Sequence, residues 1–138
     1  MRYFEASALV KRYVVERHSA EVRRQLVSDV PATSRLSEVE VASALVRRSR
    51  EGAFSIADRD RAIAALEADS ASILVVELTP EITARARVLL QRHSLRAGDA
   101  IQLASCLYLR DQVGKEVPFI AFDARLQQAA RREGLRTA

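Results

Sequence analysis

The sequence predicts an α/β fold with a central, mainly parallel β-sheet and helices packed on both of its faces. Short β-branched or aromatic runs alternate with amphipathic helical patterns along the chain, as expected when helical crossovers join parallel strands. The 138 residues contain no internal repeat, no low-complexity run and no Pro- or Gly-rich linker. We therefore expect one domain that spans residues 1–138.

In the first half of the chain, helices are predicted where apolar residues recur three and four positions apart. Gly52 is the kind of residue expected just past a helix end. The run Ser55-Ile56-Ala57-Asp58 is typical of a capping box that opens the next helix. The predicted elements are strands at Arg2–Phe4 and Val30–Thr33 and helices at Ala6–Val15, Ala20–Ser28, Ser34–Arg50 and Ser55–Ala68.

The second half contains the clearest strand, Ile73–Leu78, which is rich in β-branched residues and bounded on both sides. Thr79, Pro80 and Glu81 then supply a cap, a proline at the first helical position and an acid in the first turn. The remaining predicted elements are helices at Thr79–His93, Leu95–Val113 and Ala124–Glu133, a strand at Val117–Phe122 and a short last strand at Leu135–Thr137.

Composition excludes several classes of protein. Cys106 is the only cysteine, which excludes an internal disulfide framework and a Cys-rich zinc site. No apolar run approaches the roughly 20 residues that span a bilayer, and the N-terminus lacks the apolar core of a signal peptide, so we expect a cytoplasmic protein. The net charge of +4 comes from 22 basic and 18 acidic residues and is compatible with a polyanionic partner.

The sequence contains few candidates for a catalytic nucleophile or general base. Cys106 lies in the middle of a long apolar helix, where a buried and inert thiol is expected. His18 and His93 lie beside arginines in polar connections, which favours surface positions. The sequence also has no glycine-rich phosphate loop and no nucleophile elbow. The acids remain as candidates for chemistry.

Four acids stand out by their positions. Glu5 closes the first strand and Asp123 follows the strand at Val117–Phe122, so both are expected at the carboxyl edge of the sheet, where open α/β sheets bind ligands. Glu40 lies in a helix with apolar residues on most sides. Asp99 begins the most apolar helix of the chain.

Each acid also has a structural interpretation. Glu40 could complete a capping box with Ser37, Asp99 and Asp123 could be N-caps, and Glu5 could belong to an exposed turn. Against this, neither Glu40 nor Asp99 has a cation three or four residues further on, so they lack the usual partner of a surface acid.

Convergence of the four acids would require a counter-charge. Two unit charges 4 Å apart repel by roughly 4 kcal/mol at an effective dielectric constant near 20. Oxygen-only ligands favour Mg²⁺ or Mn²⁺ rather than zinc. Such a metal activates water and stabilises charge on a phosphate without a nucleophilic side chain.

Four sequence motifs contain the four acids, one in each. They are Tyr3-Phe4-Glu5-Ala6-Ser7-Ala8-Leu9-Val10-Lys11, Ser34-x-Leu36-x-x-Val39-Glu40-Val41-x-Ser43-Ala44-Leu45, Leu95-x-x-x-Asp99-Ala100-Ile101-Gln102-Leu103-Ala104 and Phe122-Asp123-x-x-Leu126-x-x-Ala129-Ala130-x-x-x-Gly134-Leu135. In this order they resemble the PIN-domain family, and within it the VapC-type toxins of bacterial toxin–antitoxin pairs. The resemblance covers essentially the whole chain.

The resemblance implies a Mg²⁺- or Mn²⁺-dependent endoribonuclease that is usually a homodimer and is inhibited by a VapB-type antitoxin. It also implies that Glu40, Asp99 and Asp123 are metal-site acids and that Ser7 supports the site by hydrogen bonding. Glu5 departs from the pattern, because the family normally has Asp there and commonly Thr at the position of Ala6. The extra methylene moves the carboxylate by roughly 1 Å, a displacement that can cost on the order of 10²-fold in rate.

The leading hypothesis is a toxin-type ribonuclease in which Glu5, Glu40, Asp99 and Asp123 hold the metal. The cations nearest in sequence are the candidate contacts to the RNA backbone: Lys11, Arg96 and Arg125. The alternative is a PIN-like module, silenced or weakened by Glu5, that binds RNA or an antitoxin without efficient cleavage. A phosphorylated receiver-like protein is disfavoured because Glu5 stands alone, without an Asp-x-Asp run.

Overall fold

A four-stranded, all-parallel β-sheet forms the centre of the computed structural model, which describes residues 1–138. Its strands are β1 (Arg2–Phe4), β2 (Pro31–Ser34), β3 (Leu74–Val76) and β4 (Phe119–Ile120). They lie in the order β3-β2-β1-β4, which places the first strand of the chain inside the sheet. The register pairs Tyr3 with Ala32 on one side and with Phe119 on the other.

Seven α-helices connect and flank these strands. Several begin with the caps that their sequences predict: the side chains of Ser55 and Thr79 accept hydrogen bonds from the amides of Asp58 and Ile82. The helices are α1 (Ala6–Leu9), α2 (Ser19–Ser28), α3 (Leu36–Arg50), α4 (Ile56–Asp69), α5 (Pro80–Arg92), α6 (Ala97–Val113) and α7 (Ala124–Arg132).

The hydrophobic core has two parts, one on each face of the sheet. Successive residues of a strand point to opposite faces, and accordingly Tyr3 belongs to the cluster with α5, α6 and α7, whereas Phe4 belongs to the cluster with α1, α3 and α4. Tyr3 stacks on Phe119 at 5.7 Å between ring centroids. The predicted α/β class with helices on both faces is confirmed.

The predicted helix at Ala6–Val15 is wrong in its second half. The α-helix ends at Leu9 and continues only as a 3₁₀ turn at Val10–Arg12. Ser19 provides a competing set of hydrogen bonds, because its hydroxyl donates to the Val14 carbonyl and accepts from the amide of Glu16. These bonds fold the chain into a loop before α2.

Several predicted strands are longer than the observed ones. Ile73–Leu78 and Val117–Phe122 contribute only Leu74–Val76 and Phe119–Ile120 to the sheet, because pairing extends only as far as the short neighbouring strands. Leu135–Thr137 forms no strand, only an isolated bridge from Thr137 to Phe119. None of the helices has the combination of length and apolar character that crossing a membrane requires.

Two predicted helix starts also shift. The helix predicted from Ser34 begins at Leu36, because Ser34 is still paired with Val76 in the sheet. The helix predicted from Leu95 begins at Ala97, since Arg96 retains an extended backbone as the cap. The first shift places the start of α3 directly after the carboxyl end of β2, whereas α6 follows the short loop after α5.

Candidate active site

The carboxyl edge of the sheet positions two of the predicted acids. Glu5 follows β1 and Asp123 follows β4, and these strands are neighbours in the parallel sheet. The Glu5 amide donates to the Ile120 carbonyl at 3.0 Å, which extends this pairing to the strand ends. Asp99 is the third residue of α6, and Glu40 lies within α3.

A polar cleft of about 380 Å³ opens at this edge. It brings together three of the four predicted acids, with two of the predicted cations. A larger groove of about 800 Å³ lies elsewhere, between the loop after the 3₁₀ turn and helices α3 and α4, and contains none of the four acids. The smaller cleft is therefore the candidate site; its lining residues are Glu5, Ser7, Ser94, Leu95, Arg96, Asp99, Asp123, Arg125 and Leu126.

Glu5 is buried, with only 5% of its surface exposed, so its interpretation as part of an exposed turn is wrong. One carboxylate oxygen accepts the Ser7 amide at 2.9 Å and the other accepts the Ser7 hydroxyl. Burial raises the pKa of Glu5, the bonds from Ser7 oppose the rise, and the nearby charges of Glu40 and Asp99 add to it. Ser7 thus holds the carboxylate by the hydrogen bonds that the family resemblance implies.

Glu40 lies against the first turn of α6 rather than on the lining of the cleft. Its capping-box interpretation is wrong, because α3 begins at Leu36 and the Glu40 carboxylate instead accepts from Gln102 Nε2 at 3.1 Å. A Cβ on Gly98 would stand 3.5 Å from both Glu40 oxygens. Burial raises the pKa of Glu40, Gln102 opposes this rise, and the charge of Asp99 adds to it.

Asp99 and Asp123 each use one carboxylate oxygen in a helix start and leave the other without a protein hydrogen bond. Asp99 Oδ2 accepts the Arg96 amide at 3.4 Å, so Asp99 is not the N-cap itself. Asp123 Oδ1 accepts the Leu126 amide at 2.8 Å, which confirms its N-cap interpretation. Such capping fixes the side chains while one oxygen stays available to a ligand.

A buried polar network behind the acids was not predicted from the sequence. Gln102 is fully buried; its Oε1 accepts from the Tyr3 hydroxyl at 2.7 Å and its Nε2 donates to Ser37 Oγ at 2.9 Å and to Glu40. The Ser37 hydroxyl is 2.7 Å from the Thr33 hydroxyl, which donates to the Phe4 carbonyl. The available signal was a pair of polar residues, Gln102 and Ser37, on otherwise apolar helix faces.

Of the predicted cations, Arg96 and Arg125 line the cleft, and neither forms an ion pair with an acid of the chain. Lys11 is not part of the lining. Its side chain is 12% exposed and its Nζ is 2.9 Å from Glu16 Oε1. Lys11 is therefore neutralised by an acid of its own chain, whereas the two arginines are free to contact an anion.

The donor chemistry of the site fits a hard divalent cation, although the arrangement is open. No three His, Cys, Asp or Glu side chains stand close enough together to enclose a metal ion. The acids nevertheless offer only oxygen. The pKa values of Glu5 and Glu40 are raised mainly by burial, with a smaller contribution from neighbouring carboxylates, and a bound divalent cation offsets that repulsion. Because Gly98 lacks a Cβ, no side chain of that residue covers the two Glu40 oxygens.

The cysteine and the two histidines are poor candidates for a catalytic role. Cys106 is buried as predicted, and burial raises the pKa of its thiol. The predicted surface position of His93 is wrong, because its side chain is largely covered and its Nε2 lies 2.7 Å from Glu133. His18 stacks on Phe122.

Comparison with known proteins agrees with the fold and the motifs. The PIN-domain sequence profile matches residues 2–132. Two Mycobacterium tuberculosis relatives, named ribonuclease VapC45 and ribonuclease VapC49, are each 33% identical over 142 residues, covering 99% of this chain and 93% of the relative.

Solved structures share the fold at lower identity. Mycobacterium tuberculosis VapC20, described as a sarcin–ricin loop cleaving toxin, superposes with a TM-score of 0.70 at 20% identity over 94% of this chain and 95% of its own. FitAcB from Neisseria gonorrhoeae gives 0.66 at 12% identity over 99% and 96% of the two chains. With the profile match over nearly its whole length, the chain belongs to the PIN-domain family, and its curated relatives are VapC ribonucleases.

Proposed function

We propose that this protein is a Mg²⁺- or Mn²⁺-dependent endoribonuclease and the toxin of a type II toxin–antitoxin pair. The observation that carries the proposal is a single cleft in which Glu5, Asp99 and Asp123 lie beside the unpaired guanidinium groups of Arg96 and Arg125. Carboxylates are the ligands that a hard divalent cation prefers, and guanidinium groups bind the oxygens of a phosphodiester. The names of the relatives support the same activity.

In this proposal Asp99, Asp123, Glu40 and Glu5 would hold the metal. The bound cation would supply a water acidified enough to attack a phosphodiester and a positive charge on the phosphate oxygens. Ser7 holds the carboxylate of Glu5, and Gln102 holds that of Glu40. Arg96 and Arg125 orient the RNA backbone through charge-assisted hydrogen bonds.

The proposed partners follow from the same family membership. RNA is the substrate, a VapB-type antitoxin is the inhibitor, and a second copy of the chain completes a homodimer acting in the cytoplasm. One structural neighbour at 19% identity and a TM-score of 0.64 is a toxin–antitoxin complex from Klebsiella pneumoniae. Co-expression with a candidate VapB-type antitoxin, followed by sedimentation of the purified material, measures both assemblies.

Isothermal titration with Mn²⁺ tests the metal assignment. We expect the wild-type protein and Asp60→Asn to bind Mn²⁺ equally, because Asp60 is exposed on α4 and pairs only with Arg59. Asp99→Asn should weaken binding at least tenfold, since it removes one anionic ligand. Equal binding by wild type and Asp99→Asn would refute the assignment.

A second candidate, an RNA- or antitoxin-binding module with little cleavage, is favoured by one observation. Both oxygens of the Glu5 carboxylate are occupied by Ser7, so this acid is less available to a metal than a free carboxylate. Incubation of labelled RNA with Mn²⁺, beside a binding measurement in EDTA, separates the candidates. Cleavage supports the ribonuclease, whereas binding without any cleavage supports the module.

A further inference from the structure

His18 has an unusual backbone conformation. It is the only residue other than glycine with a positive φ, 69°, a left-handed conformation that costs free energy for a residue with a Cβ. It precedes α2 without using its side chain as a cap. A strained residue persists only where its surroundings hold it in place, and such residues are concentrated at binding sites.

The surroundings of His18 fix it in this position. The Ser19 side chain holds the preceding loop by bonds to the Val14 carbonyl at 2.9 Å and the Glu16 amide at 3.0 Å. The Glu16 carboxylate is itself held by Lys11 at 2.9 Å and by Arg48 at 2.8 Å. His18 Nδ1 lies 3.4 Å from Glu21, which orients the ring. The loop before α2 is therefore held in one conformation by contacts within the chain.

The ring of His18 stacks on Phe122, with 4.5 Å between the centroids and 15° between the planes. Lys11 Nζ lies 5.0 Å from the centroid of the same Phe122 ring. The His18 side chain remains 34% exposed. The pair, called here the His18–Phe122 stack, thus combines a ring supported by Phe122 with a side chain that is partly open to solvent.

Two short stretches of chain connect this stack to the candidate active site, whose lining does not itself include His18, Phe122 or Lys11. Phe122 immediately precedes Asp123, a lining acid of the cleft, and Lys11 is one turn beyond Ser7, another lining residue. An RNA strand with a phosphate at Arg125 and the acids has neighbouring nucleotides that extend beyond the cleft, where an aromatic side chain can receive a base. The remaining aromatic pair of the chain, Tyr3 and Phe119, is buried.

We propose that the His18–Phe122 stack is a nucleobase platform, on which one unpaired base of the RNA stacks against the exposed face of His18. Aromatic side chains bind single-stranded RNA in this way without reading its sequence. The platform would position the strand and select unpaired over double-stranded segments. This inference rests on the proposed ribonuclease function and assigns His18 a positioning role outside the metal-site acids.

The test compares two fluorescein-labelled probes of equal length, a short single-stranded RNA and an all-abasic ribose-phosphate strand, titrated by anisotropy in EDTA. His18→Asn removes the ring but tolerates the left-handed backbone, and His18→Tyr restores a ring. We expect the preference of the wild type for the RNA over the abasic strand to fall about fivefold or more in His18→Asn. His18→Tyr should keep most of it.

Arg125→Ala is the matched phosphate control and should weaken both probes alike. Thermal melting confirms that each variant is folded, and His18→Gly replaces His18→Asn if that variant is not. The platform would be refuted if His18→Asn kept the wild-type preference for RNA, or if it lost affinity equally for both probes. It would also be refuted if His18→Tyr lost as much of the preference as His18→Asn. If wild-type protein binds neither probe, the proposed function fails as well, whereas cleavage with unchanged preference refutes the platform alone.

Discussion

Glu5 is tightly constrained, because each of its carboxylate oxygens accepts a hydrogen bond from Ser7. Glu5→Asp should raise the rate of Mn²⁺-dependent RNA cleavage, by up to about 10²-fold, since a carboxylate misplaced by roughly 1 Å can cost that much. An aspartate at this N-cap can still accept the Ser7 amide with one oxygen and release the other. Initial rates on a labelled RNA measure the change.

The control for this prediction is Glu38→Asp, the same shortening at an exposed acid that pairs with Arg35 outside the cleft. Its cleavage rate should equal that of the wild type. A Glu5→Asp rate no higher than the wild-type rate would contradict the idea that side-chain length limits the site.

Gln102 is a positioning residue, and its replacement should lower the free energy of unfolding. Gln102→Leu leaves the buried Tyr3 hydroxyl and the Glu40 carboxylate without their shared partner, and we expect a loss of about 2–3 kcal/mol in the free energy of unfolding. The melting temperature should fall by roughly 5–10 °C. Gln112→Leu, an exposed position on the same helix, should change stability by less than about 0.5 kcal/mol.

At the scale of the elements, one substitution in the first turn of α6 should raise the stability of the helix and weaken metal binding. Gly98 has space for a Cβ, at an ordinary 3.5 Å from the Glu40 oxygens. Gly98→Ala should therefore stabilise the helix by about 0.5–1 kcal/mol, while its methyl covers the carboxylate and weakens Mn²⁺ binding. Melting and calorimetric titration of the same samples measure both effects.

Gly52→Ala is the contrasting control, because Gly52 has a φ of +80°. An alanine there is strained, so this variant should lose about 1 kcal/mol or more and bind Mn²⁺ normally. Unchanged Mn²⁺ affinity in Gly98→Ala would show that the space beside Glu40 has no part in holding a metal.

Helices α5, α6 and α7 are tied together at one end by Glu133. Its carboxylate accepts from His93 and Arg92, and its carbonyl accepts from Arg110. Burial raises the pKa of Glu133, but the bonds from His93 and Arg92 outweigh burial and hold it below its usual value. The stabilisation is thus present above the unfolded pKa, near 4.3, and is lost as the pH falls through the lower folded value.

Glu133→Gln should therefore lower the free energy of unfolding at pH 7 by about 1 kcal/mol. The difference from wild type should shrink toward pH 3, where the unfolded carboxyl is protonated and the folded one is being titrated. Urea unfolding at both values measures it. The exposed and unpaired Glu116→Gln should show no such dependence, and a Glu133→Gln deficit that grows at low pH would reverse the assigned sign.

The sequence was sufficient for the order of the elements and for the edge where Glu5 and Asp123 lie, because strand ends and parallel crossovers are local patterns. It was insufficient for strand length, since Val117–Phe122 pairs only as far as its three-residue neighbour β1 allows. It also could not identify the partner of Glu40, because Gln102 is 62 residues away and the contact depends on how α3 packs against α6.

Over the whole molecule, the charge divides into an acidic cleft and a basic remainder. The net charge of +4 combines 22 basic with 18 acidic residues. The cleft lining holds three acids and two arginines, so the remainder of the chain has 20 basic against 15 acidic residues. Such a surround attracts a polyanion, and its binding releases counterions in proportion to the phosphates contacted. RNA affinity should therefore fall steeply as salt rises.

The salt dependence also tests which cations make contact. If Arg125 neutralises one phosphate, Arg125→Ala should reduce the slope of log K against log salt concentration by about 0.7 for a single strand. Arg61→Ala removes the same charge from α4, where Arg61 pairs with Asp58 and lines the larger groove, and should leave the slope unchanged. Anisotropy titrations in EDTA at several salt concentrations provide the slopes. If both variants reduce the slope equally, the affinity comes from overall charge; if only Arg125→Ala does, the strand passes through the acidic cleft.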